Sequence, residues 1–151
     1  MREASASSTI FRLILAFTLL FAGFLSVAIV YNRAYRLKNG SLAIIEKYEG
    51  INDTSLKIIN NYLKSSGYTT KGKCDSGEFG VKNLDNEEYE KVEDANQEYC
   101  YCLSSKISNK QIFYKIKLFF KFNLPIIGDL TTFKIVGDTK SIKLYNDKQK
   151  L

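Results

Sequence analysis

At 151 residues the chain is the length of one domain, and its 10 Tyr and 10 Phe exclude a polar, disordered polypeptide. It has no histidine, which removes the commonest general base, pH switch and metal ligand together. The net charge of +6 rests largely on lysines dispersed among apolar residues, the pattern of a solvated sheet face and not of a nucleic-acid interface.

A short polar leader opens the chain. Residues 13–30, from Leu13 to Val30, are 18 residues without a charge, bounded by Arg12 and by Tyr31-Asn32-Arg33. At about 1.5 Å per residue, and extended by Ile10, Phe11 and Tyr31, the run covers most of a hydrocarbon core about 30 Å thick. Only Thr18 and Ser26 within it are polar. A cleaved secretory signal would have a shorter apolar region ending in a small-residue site such as Ser26-Val27-Ala28. Here the run continues through that site, so residues 1–31 are expected to form a leader and a retained transmembrane helix. Thr18, Ala22 and Ser26 recur every fourth residue and form a candidate helix-packing face, a spacing that lets helices approach closely in a membrane. Arg33, Arg36 and Lys38 after the span outnumber Arg2 and Arg12 before it, which by charge places the C-terminal side in the cytoplasm. The cysteines argue the reverse, and the expected topology is N-terminus cytoplasmic with residues 32–151 as one extracellular α+β domain.

Beyond the span, Tyr31, Tyr35, Leu37, Leu42, Ile45 and Tyr48 fall near one face of a continuing helix over residues 31–49. Gly40 is its weak point and a candidate kink, and Gly50 its stop. Asp53 or Thr54 can cap a second helix over residues 55–66, with Leu56, Ile59, Tyr62 and Leu63 as its stripe and Gly67 as its end. Residues 67–98 are rich in Gly, Asp, Asn and Glu and read mainly as loop. Glu87, Glu88, Glu90, Glu93 and Asp94 lack the alternating spacing and central glycine of a calcium loop and read as solvated.

The last third turns to a period of two. Residues 99–105 set Tyr99, Tyr101 and Leu103 against Cys100, Cys102 and Ser104. In residues 112–124, Ile112, Tyr114, Ile116, Leu118, Phe120, Phe122 and Leu124 make one face. Phe113, Lys115, Lys117, Phe119, Lys121 and Asn123 make the other, so one buried and one wet face are expected. Pro125 ends this strand and Gly128-Asp129 offers a turn. Strands over residues 130–136 and 140–145 are expected around Gly137-Asp138. Asp129, Asp138 and Asp147 read as turn formers.

Cys100 and Cys102, two apart on one strand, are poorly placed to bond each other, whereas Cys74 lies in a loop that can reach either. A bridge from Cys74 to Cys100 or Cys102 would pin the loop to the sheet and requires an oxidising compartment. The third cysteine would stay free or pair between chains. Three cysteines without histidine do not make a closed zinc site, and no base is identifiable for a catalytic cysteine. No phosphate loop, nucleophile elbow, metalloprotease helix or dinucleotide fingerprint occurs. The expectation is a protein that is not an enzyme, with no cofactor, no metal and no nucleic-acid partner.

The order of parts (polar leader, apolar helix continuing into an amphipathic half, second helix, cysteine-bearing loop, terminal antiparallel sheet) resembles bacterial type IV pilins and pseudopilins, above all the TadE-like minor pseudopilins. The closest local likeness is Phe120-Lys121-Phe122-Asn123-Leu124-Pro125-Ile126-Ile127-Gly128 followed by Phe133-Lys134-Ile135-Val136-Gly137-Asp138-Thr139-Lys140-Ser141. The resemblance implies a single-pass structural or assembly subunit of a pilus or secretion apparatus at the cell surface. Its partners would be the membrane and other pilin-like or secretion-system subunits, with self-association through the N-terminal helix. The alternative is a stand-alone, membrane-tethered extracellular binding module.

Overall fold

The computed structural model describes residues 2–86, 88–94, 96–124 and 128–143, with side chains described within 8–122 and 132–143. Helix α1 spans Arg2–Lys47 and helix α2 Asp53–Ser65; among the described residues eight strands follow. They are β1 Gly72–Lys73, β2 Phe79–Val81, β3 Glu90–Lys91, β4 Glu98–Tyr99, β5 Tyr101–Ser108, β6 Gln111–Leu124, β7 Gly128–Asp138 and β8 Ile142–Lys143. The chain is α+β, as its periodicities require.

Helix α1 runs for 46 residues without a break, through Gly40. The missing side chain at Gly40 admits the ring of Tyr62 from α2. The helix ends at Lys47 in a six-residue closing turn. Gly50 N–H donates to the Ile45 carbonyl at 3.0 Å and Glu49 N–H to that of Glu46 at 3.2 Å. The left-handed residue is Glu49, at φ 53°, one position before the expected glycine. Asn52, not Asp53 or Thr54, caps α2: its side chain accepts from Ser55 N–H at 2.8 Å while Ser55 Oγ accepts from Asn52 N–H at 2.9 Å. At the far end Gly67, at φ 67°, turns the chain, and Tyr68 N–H reaches the Leu63 carbonyl at 3.0 Å.

The sheet is antiparallel throughout, in the order β3-β2-β5-β6-β7, with β8 pairing the start of β6; β1 and β4 form a separate ribbon. Its inner face, built on Tyr101, Leu103, Ile112, Tyr114, Ile116 and Leu118, closes on Ala34, Leu37 and Ile45 of α1 and Leu56, Ile59 and Leu63 of α2. Burial of this apolar surface is what stabilises the domain.

Among the described residues, 67–98 are mainly loop, as expected, with short strand segments at β1, β2, β3 and the start of β4 where the loop doubles back and pairs with β5 through β2. Two further expectations are corrected. The lysine face of β6 is only partly wet: Lys117 and Phe119 are buried, because the segment led by β1 folds over that face. Finally, Gly137-Asp138 is not a turn. Strand β7 runs through it, and the reversal follows at Thr139, whose N–H donates to the Tyr114 carbonyl at 2.8 Å. The hydroxyl of Thr139 accepts from Tyr114 N–H at 3.0 Å, completing the exchange. Pro125, Asp147 and residues 144–145 lie outside the described residues.

The alternation of residues 99–105 breaks at Cys100. Val81 pairs in register with Tyr101, and its carbonyl also accepts from Cys100 N–H at 2.7 Å, so two residues oppose one. This is the geometry of a β-bulge, which switches the faces that follow it. Cys100 and Tyr101 therefore both join the inner core, while Tyr99 and Cys102 belong to a small cluster on the outer face with Cys74, Val92 and Phe119.

Candidate functional site

The chain offers two candidate sites: the bare N-terminal half of α1 and the pinned outer face of the sheet. In α1, the segment from Ser8 onward is long and apolar enough to cross a membrane, and none of its most apolar window is buried. Large side chains point outward all around it, including Phe11, Phe17, Leu20, Phe24 and Ile29. A helix apolar on every side has no water-facing stripe and belongs in lipid or in the core of an assembly. Thr18, Ala22 and Ser26 lie in this segment. The Thr18 hydroxyl donates to the Ile14 carbonyl at 2.8 Å, which satisfies it inside the helix and leaves a small, smooth surface at that level.

On the outer face, Cys74 is bonded to Cys102, with Cα atoms 5.7 Å apart. This selects one of the two open pairings. Directly across the ladder from Cys102 stands Lys117. Its ammonium donates to Asp75 Oδ2 and Glu78 Oε2, each at 2.7 Å. The loop is shaped for this: Glu78 Oε2 also accepts from Asp75 N–H at 2.9 Å, and Glu78 N–H donates to the Asp75 carbonyl at 3.1 Å. Burial depresses the Lys117 pKa, but the hydrogen bonds and charges of the two carboxylates outweigh it and hold the group above the ordinary lysine range. The Lys117 ammonium holds the Asp75 carboxyl below its ordinary range. Sequence reasoning missed this cluster. Its one visible signal was the presence of two acids within four residues of Cys74.

The Sγ atoms of Cys74 and Cys102 and a carboxylate oxygen of Glu78 lie within 4.8 Å of one another. Sulfurs bonded to each other have no thiolate to offer, and Glu78 already accepts from an ammonium, so this set does not fit a cation in the oxidised protein. Cys100 is free, buried, and hydrogen-bonded to the Lys82 carbonyl through Sγ at 3.2 Å. Burial pushes its thiol pKa up, which makes it a poor nucleophile, and its burial bars pairing with another folded chain. Nearby, the Tyr68 hydroxyl donates to the Cys100 carbonyl at 2.7 Å and accepts from Phe119 N–H at 2.8 Å. Its desolvation raises its pKa, so it is a fixed neutral bridge between strands.

No family model, no curated protein and no solved structure matches the chain. The geometry alone therefore carries the functional reading.

Proposed function

We propose that this chain is a pseudopilin-like, TadE-like structural or assembly subunit that acts by helix packing and surface presentation. The observation that carries this reading is the division of one unbroken helix into two halves. The first is bare and apolar all round; the second is cemented to an antiparallel sheet. A helix of that kind can exchange lipid for the apolar helices of sibling subunits without exposing a polar group, while the domain stays outside. The Cys74–Cys102 bond supports an oxidising, extracytoplasmic location for the domain and hence a cytoplasmic N-terminus.

Site-specific crosslinking in membranes tests it. Full-length protein should crosslink through α1 to a second copy or to a sibling subunit, and Thr18→Leu with Ala22→Leu should abolish those adducts. Adducts that survive the double change would reduce the helix to an anchor and favour a stand-alone, membrane-tethered binding module.

A further inference from the structure

Three contacts fix how the sheet is stacked along α1. Lys140 N–H donates to Glu46 Oε1 at 2.8 Å, near the end of the helix. A Cβ on Gly137 would stand 2.7 Å from Leu42 and 2.8 Å from Lys38, lower down. Thr132 shares a cleft with Arg33, lower still. Passing back along β7 from Lys140 to Thr132 is thus a descent toward the apolar segment, and Lys121, paired with Thr132, descends with it. Arg33 is the first charged residue after the apolar run and lies three residues past Val30, a rise of about 5 Å, which places it at the depth of lipid headgroups.

The cleft at that level, with a volume of about 660 Å³, is lined by Arg33, Lys71, Lys121 and the hydroxyl-bearing Thr70 and Thr132, with Glu98 as its one acid. Lys71 and Lys121 are exposed. The Arg33 guanidinium is held in place by the end of α2, donating from one nitrogen to the Ser66 and Gly67 carbonyls, the latter at 3.0 Å. Among the described residues its other nitrogens are left to serve a ligand, and its fork geometry suits a phosphate. One fixed guanidinium, two exposed ammoniums and hydroxyl donors are the chemistry that recognises a phosphodiester.

We infer that this cleft binds the headgroup of an anionic phospholipid and so sets the height and tilt of the domain on its membrane. Basic residues at a membrane surface are attracted to anionic lipid, and here Arg33 beside the span shares one cleft with Lys71 and Lys121. The inference rests on α1 being a membrane span, which alkaline carbonate extraction checks separately.

The test uses full-length protein in a neutral detergent, titrated with short-chain phosphatidylglycerol or phosphatidylcholine, binding being read from tyrosine and amide NMR shifts. Saturable binding of phosphatidylglycerol, at least about tenfold tighter than of phosphatidylcholine, is expected. Lys71→Glu with Lys121→Glu should weaken it by about 25-fold or more, at roughly fivefold per lysine. Lys106→Glu with Lys110→Glu, the same charge change beside the distal β5–β6 turn, should leave it unchanged. Thermal melts confirm that both double variants fold. Equal affinity for the two lipids, or equal losses in both double variants, would overturn the inference. So would full displacement by equimolar inorganic phosphate, since the cleft would then be reading a free anion. A protein that is carbonate-extractable fails at the span, whatever the cleft binds.

Discussion

The ring of Tyr62 lies so close over Gly40 that a Cβ on the glycine would stand 2.4 Å from the tyrosine hydroxyl oxygen. The same hydroxyl donates to the Arg36 carbonyl at 3.3 Å, one turn earlier in α1. In an exposed helix, Gly→Ala stabilises by about 1 kcal/mol. Here overpacking reverses the sign, and Gly40→Ala should destabilise the domain by roughly 1–3 kcal/mol in denaturant melts. Adding Tyr62→Ala should make the Gly40→Ala change favourable. A stabilised single variant would show that the two helices are not locked at this point.

Lys117 is 3 % exposed and held by one half-buried and one exposed carboxylate. Asp75→Ala with Glu78→Ala strands a buried ammonium and should cost ~3 kcal/mol, more than Lys117→Met, which removes the buried charge itself. The pH dependence has two edges. The Lys117 pKa is raised in the folded state, so its contribution is complete below the unfolded value of about 10.4 and is lost as pH rises through the folded one. The Asp75 pKa is lowered, so its contribution is present above about 3.9 and is lost as pH falls through the folded value. Melts across pH should show the alkaline edge shrink in Lys117→Met, while buried Tyr68 and Cys100, whose pKa values are also raised, keep the rest of it.

The disulfide closes a loop of 28 residues, and by loop-closure entropy its removal should cost roughly 3–4 kcal/mol. Thiol counting by mass after maleimide labelling checks that one bond exists, and mapping the label of the denatured oxidised protein to the Cys100 peptide checks the pairing. Native oxidised protein should take no label, because Cys100 is buried, and denatured oxidised protein should take one. Denatured, reduced protein should take three. Labelling of two cysteines in the denatured, unreduced protein would contradict the bond.

Tyr68→Phe removes one hydroxyl and leaves both the Cys100 carbonyl and the Phe119 N–H without that partner in a buried setting. The expected loss is about 2 kcal/mol, with faster amide exchange at Phe119 by NMR. Exchange unchanged at Phe119 would mean that water replaces the hydroxyl.

Ser41 is fully buried in α1, and its hydroxyl has no hydrogen-bond partner among the described residues. Ser41→Ala should therefore stabilise the domain, by roughly 1 kcal/mol, through better helix propensity and the loss of a desolvated hydroxyl. A destabilised variant would reveal a bond to that oxygen.

What was legible in the sequence was what repeats. The uncharged run, the two amphipathic helices and the strand from Ile112 onward each state their period many times over. Gly67 was legible because a left-handed helix end favours glycine. Single-residue events were not. The switch at Cys100 needs the pairing partner Val81 to define it, and the burial of Lys117 needs the loop that returns over it. Residue type does not single out Asn52 from Asp53 and Thr54, because Asp, Thr and Asn all cap well; only the reciprocal bond with Ser55 decides among them. Gly137-Asp138 carries turn chemistry, yet β7 passes through it, because the glycine gives room to Leu42 and Lys38.

Because α1 is unbroken from Arg2 to Lys47 and its distal half is fixed to the sheet, the compass bearing of the domain is coupled to that of every residue in the bare half. One residue inserted between Ser26 and Val30 would turn the domain by about 100° about the helix axis relative to Thr18 and Ala22, and lift it by about 1.5 Å. Seven inserted residues, close to two full turns, would restore the bearing to within about 20° and change mainly the height. A partner that grips the bare half therefore also dictates which side of the domain its neighbours meet.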